Sequence, residues 1–177
     1  MMEIRLKLQI GTYMDYLAYI FPIDQSSGHY RVSAASDLGR LVIAYAMRSD
    51  TPRPERPAAD GERYVTLDLP DGDSTQHLRD KWLYIQAGDE ARLFGALKSL
   101  FNMDLINYYQ WGRGMGYQKK ELMEMFIVSR GLLTVDPYEA LHKRVYRLEM
   151  QEMNRVCQIL LNKVKYFEQT IDKSGKL

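Results

Sequence analysis

From Tyr138 to Lys173 the chain contains neither glycine nor proline. Those are the two residues that most often end a helix, so a breaker-free stretch of this length favours one continuous helix. Its apolar positions are Leu141, Val145, Leu148, Met153, Val156, Leu160, Val164, Phe167 and Ile171, stepping by three, four or five residues. That is the period of a helix with one apolar stripe. Asp136-Pro137-Tyr138-Glu139 supplies its start, with Asp at N-cap, Pro at the first helical position and Glu two residues later. The pattern predicts a helix to about Asp172, some nine turns at ~3.6 residues each. Glu152 and Lys163 interrupt a strict heptad. Such a helix is longer than a small domain needs for its own core. Either it folds back over the rest of the chain, or it pairs with a second copy in a homodimer.

Ahead of it the pattern is mixed. Ile4, Leu6, Leu8 and Ile10 alternate with polar residues, which predicts a half-buried strand ended by Gly11. Thr12 is placed to cap a short helix carrying Tyr13, Tyr16, Leu17 and Ile20, stopped by Pro22. A short strand at residues 29–32 leads to a helix opened by Ser33 or Ser36 and running to Met47. Residues 51–61 hold Pro52, Pro54 and Pro57 with no apolar side chain larger than alanine, the composition of a solvated loop or hinge. Strands follow at residues 63–69 and 81–85. Beyond Asp89 the pattern is helical: Leu93, Leu97 and Leu100 in one helix, Leu122, Met125 and Phe126 in a second closed by Gly131. The fold class expected is α+β, with a small N-terminal part (residues 1–87) and an all-α C-terminal part (88–177).

Composition narrows the function. Twenty-four basic and 23 acidic residues leave a net charge of +1, so the chain as a whole is not a polyanion binder. No apolar run reaches the ~18 residues of a membrane span, and the N-terminal alternation is unlike a signal peptide; a cytoplasmic protein is expected. The only cysteine, Cys157, excludes an internal disulfide, and within a helix it acts as a small hydrophobe. His29, His77 and His142 stand far apart without a neighbouring His or Cys, so no metal site is expected. Asp71-Gly72-Asp73-Ser74-Thr75 lacks the later glycine and glutamate of a calcium loop and reads as a turn. Ser74 beside His77 lacks a nucleophile elbow. These absences point to a non-enzymatic protein with no cofactor.

The charge is uneven. Residues 1–88 carry ten bases and twelve acids, and the window from Arg113 to Arg147 carries seven bases against four acids. That window holds the whole basic excess of the second half. Gly112-Arg113-Gly114-Met115-Gly116 offers backbone N–H groups to a phosphate without being a P-loop or dinucleotide fingerprint. The order helix, turn, capped helix over residues 118–148 is helix-turn-helix-like. DNA is therefore the expected partner. Arg113, Lys119, Lys120 and Arg130 would hold phosphates, Tyr138, His142, Lys143 and Arg147 would face the groove, and Arg144 would add to the nucleic-acid contacts. The competing expectation is a protein partner meeting the long helix and the aromatic set Tyr108, Tyr109, Trp111 and Tyr117.

Lys119-Lys120-Glu121-Leu122-Met123-Glu124-Met125-Phe126 followed by Asp136 to Arg147 resembles small uncharacterised proteins of phages and mobile elements in Bacteroides-type bacteria. Their C-terminal halves read as helical basic modules. The resemblance spans about 30 residues without a catalytic motif, and it implies a DNA-binding or accessory role on such an element.

Overall fold

In a computed structural model, residues 2–54, 57–132 and 137–174 are described, and the class is α+β. The chain separates into two compact units, Met1–Pro137 and Tyr138–Leu177. The division therefore falls at residue 137 and not between residues 87 and 88.

The first unit is built on a three-stranded sheet. β1 (Glu3–Gln9) runs antiparallel to β4 (Glu62–Asp68), and β2 (Tyr30–Arg31) lies parallel on the far side of β4. Ile4, Leu6 and Leu8 face Leu67, Val65 and Arg63 across the ladder; the apolar members of this set are buried, as alternation requires. Ile10 is different: the strand ends one residue earlier, Gly11 turns the chain at φ 134°, and Ile10 is 56% exposed. Gly11, not Thr12, occupies the cap position of α1 (Thr12–Ile20).

Ser36 caps α2 (Asp37–Tyr45), its hydroxyl accepting from the Gly39 amide at 3.0 Å. β3 (Met47–Ser49), where the sequence pattern has the end of a helix, pairs antiparallel with β5 (Trp82–Tyr84). Between β4 and β5 a single 3-10 turn (Asp73–Leu78) is pinned by the buried Thr75 hydroxyl, which donates to the Pro70 carbonyl at 2.6 Å. The turn reading of this acidic segment holds.

α3 (Ala87–Gly114) explains why the first unit extends so far. It buries Leu93, Leu97, Phe101, Leu105 and Tyr109, a stripe at four-residue spacing that needs a partner surface. That surface comes from α1, α2, β1 and α4 (Lys119–Ser129). Phe101 meets Tyr13, Tyr16 and Phe126 edge-to-face, with ring centroids 5.6, 5.0 and 5.9 Å away. Strands and helices thus share one core, so an N-terminal part ending at 87 has no separate interior. Gly131, at φ 62°, closes α4, and the Leu132 amide returns to the Ile127 carbonyl at 3.0 Å.

The second unit is carried by α5, the long helix Pro137–Ser174, about 57 Å at 1.5 Å per residue. The predicted N-cap Asp136 and turn residues Leu133, Thr134 and Val135 lie outside the described residues, as do the side chains of Phe167 and Ile171. Leu141 and Val145 are buried, whereas every residue from 151 to 165 is exposed. Among the described residues no helix is long and apolar enough to cross a membrane.

Candidate functional site

The glycine segment is not a phosphate cradle. Gly112 and Gly114 form the last turn of α3, so their amides are already spent in helix hydrogen bonding. Gly112 is buried, and a Cβ there would stand 2.0 Å from the Leu122 Cδ2 atom. Glycine lets the Leu122 side chain of α4 lie directly against the α3 backbone, a packing role the sequence cannot distinguish from a ligand-binding one.

Arg130 is engaged structurally. Its Nε and Nη2 donate to the two oxygens of Asp104 at 2.8 and 2.9 Å, a bidentate fork. The guanidinium carbon also lies 4.5, 5.3 and 5.6 Å from the ring centroids of Tyr19, Phe126 and Tyr108. Tyr16 completes the cluster, its hydroxyl 3.2 Å from Asp104 Oδ2. Burial first, and then the Asp104 carboxylate, push the Tyr16 phenol well above its ordinary range. Hydrogen bonding to Asp104 likewise raises Arg130. The group ties α1, α3 and α4 together and leaves Arg130 committed to Asp104, not to a phosphate. Asp104 carries no sequence signal for this role, because its partners lie 26 and 88 residues away.

The other predicted contacts of the first unit gather more loosely. The Tyr109 ring has Arg113 on one helix end and Lys119 on the next, 5.9 and 5.6 Å from its centroid, and Arg113 Nη1 is 3.4 Å from the Tyr109 hydroxyl. Lys120 is exposed and 3.8 Å from Glu124 within α4. Of the aromatic set, Tyr109 belongs to the core and Tyr108 packs edge-to-face on Phe126, whereas Trp111 and Tyr117 are exposed.

Two further features of this unit were invisible in sequence. Glu3, His29 and Asp68 come together at one end of the sheet with potential ligand atoms within 4.8 Å of one another. His29 Nδ1 is 2.9 Å from Asp68 Oδ1, and Glu3 faces Asp68 in the β1–β4 register. One imidazole and two carboxylates suit a divalent transition ion chemically. The His29–Asp68 contact is at hydrogen-bond distance, so the arrangement reads as a His–Asp pair with the Glu3 carboxylate alongside. A groove of about 1410 Å³ is lined by Arg5, Tyr64, Arg79, Lys81, Trp82 and Tyr84 among others. Arg79 pairs with Asp71, Lys81 with Asp50, and the Arg53 guanidinium lies 4.0 Å from the Tyr84 centroid, so much of its charge is internally matched.

In the second unit, the predicted groove-facing residues share the first turns of α5. The Tyr138 and His142 rings are 6.1 Å apart and both half-buried. Lys143 and Arg147 are exposed one turn apart, with Arg147 Nε donating to the Lys143 carbonyl at 3.3 Å; Arg144 is half-buried between them in sequence. Segment 118–148 spans the division between the units, its first helix belonging to one and its second to the other.

Further along α5, Met153, Val156, Ile159, Leu160, Leu161 and Val164 are 43–55% exposed within twelve residues. Single exposed aliphatics are ordinary, but a run of six on three turns is the mark of an interaction surface. No family model, curated protein or solved structure matches this chain.

Proposed function

We propose that this chain is a non-enzymatic assembly protein that works by docking the exposed apolar stripe of α5 on a protein partner. One observation carries the reading: six large aliphatic side chains between Met153 and Val164 are exposed, and all but Ile159 lie within about 140° of one another around the helix at ~100° per residue. About half of each side chain remains to be buried, a gain of about 0.7–1.5 kcal/mol apiece, and a solitary helix draws most of its stability from such packing.

Nucleic-acid binding is a second reading, favoured by the exposed pair Lys143 and Arg147 with the 57% exposed Tyr146 between them. It pictures a DNA-binding accessory protein, as on a phage or mobile element, with α5 carrying both the basic turns and the docking stripe. Loss of Arg130 from the phosphate set makes the expected footprint smaller and the salt dependence shallower.

A photo-crosslinking residue at Leu161, compared with one at Asn162 on the polar side, tests the docking reading in cells producing the full chain. The stripe position is expected to give a discrete covalent adduct and the polar position none. Equal labelling at both, or none at either, would overturn it.

A further inference from the structure

Resting on that reading, we infer that the partner of the α5 stripe is a second copy of this chain, joined in a parallel two-stranded coiled coil over residues 150–171. At ~100° per residue, Leu141, Val145 and Leu148 cluster on one side of α5, and Met153, Cys157, Leu160 and Val164 on another, about 120° around the helix. Leu141 and Val145 are buried, while Met153, Leu160 and Val164 are each at least half exposed and Cys157 is also exposed. The interrupted single stripe in the sequence is therefore two phases end to end, one in the first turns, where Leu141 and Val145 are buried, and one further along, where every residue from 151 to 165 is exposed.

Taken alone, the second face follows a strict heptad. Met150, Met153, Cys157, Leu160, Val164, Phe167 and Ile171 alternate steps of three and four without a break. That is the a/d seam of a left-handed coiled coil. Glu152 and Lys163, which disrupted the longer pattern, fall at c and g and leave the seam intact. Polar residues fill b and f: Gln151, Arg155, Gln158, Asn162 and Lys165, all exposed. Arg155 pairs with Glu152 at 2.7 Å on this outer side, away from the seam.

The flanking positions choose the occupant and its direction. In a parallel pair each g residue meets the e residue five positions on in the partner. Lys163 then opposes Glu168 by position, and Val156 opposes Leu161, two exposed aliphatics flanking the seam. A second copy thus offers an opposite charge where this chain has a lysine and an apolar side chain where it has valine. Cys157 stands at an a position, opposite its own counterpart.

Cysteine cross-linking of the full chain tests this, with sedimentation equilibrium as the independent readout. Cys157 is expected to form a disulfide-linked dimer under mild oxidation. In a Cys157→Ser background, Met150→Cys and Val164→Cys should each cross-link to themselves, since all three are in-register a positions. The untreated protein should sediment at twice 20.7 kDa. Leu160→Asp should return it to monomer while the near-ultraviolet spectrum stays unchanged. Efficient cross-linking at Cys157 without self-linking at 150 and 164 would overturn the parallel arrangement. A monomer with no cross-link at any seam position would overturn self-pairing. In that event an adduct to another protein from Leu161 would leave the docking reading standing, so the two fail separately.

Discussion

Replacing Arg130 by alanine separates a structural clamp from a phosphate contact. The Arg130 and Asp104 side chains are 17% and 25% exposed and joined by bonds of 2.8 and 2.9 Å. Hydrogen bonds to charged groups are worth roughly 1.5–3 kcal/mol each net, and contacts over aromatic rings about 0.5–1 kcal/mol more. These do not simply add. After the substitution Asp104 keeps the Tyr16 hydroxyl and some water, so the penalty falls short of the ~3–5 kcal/mol for a fully buried pair. Arg130→Ala should therefore cost about 2–3 kcal/mol, and Arg130→Lys about 1–2 kcal/mol, because an ammonium keeps the charge and loses the fork. Urea unfolding followed by circular dichroism measures both, and a cycle with Asp104→Asn isolates the coupling. Arg130→Ala within about 0.5 kcal/mol of the parent would refute the clamp. If salt-sensitive DNA binding disappeared at the same time, the guanidinium would be holding phosphate after all.

Three further substitutions test the first unit. The raised Tyr16 ionisation means its stabilising contribution is complete below the free phenol value, about pH 10, and lost as pH climbs toward the folded value. Between about pH 8 and pH 11, the urea midpoint of the parent should therefore fall further than that of Tyr16→Phe; equal falls would refute the linkage. Gly39→Ala would place a Cβ 1.9 Å from the Ser33 carbonyl oxygen, a backbone atom fixed beside the Ser36 cap. It should cost about 2–3 kcal/mol, while Gly95→Ala, with open space at an exposed helix position, should gain up to about 1 kcal/mol in the same urea assay.

Local patterns proved readable wherever the deciding contacts were near in sequence. Alternation at Ile4, Leu6 and Leu8 gave the strand, Ser36 the cap, Gly131 the helix end and the breaker-free run the long α5. Each depends on backbone chemistry within a few residues. Long-range pairing determined the rest. The Met47–Ser49 strand exists because β5 pairs with it, although its sequence continues a helical stripe. Arg130 looks like a free cation until Asp104, 26 residues earlier, is brought against it. Gly112 looks like a loop glycine until α4 is packed over it. The apolar residues of α5 were written in the sequence as a period; that its first turns bury Leu141 and Val145 while every residue from 151 to 165 stays exposed was decided by the tertiary structure, because burial depends on the surface a side chain meets and not on its spacing.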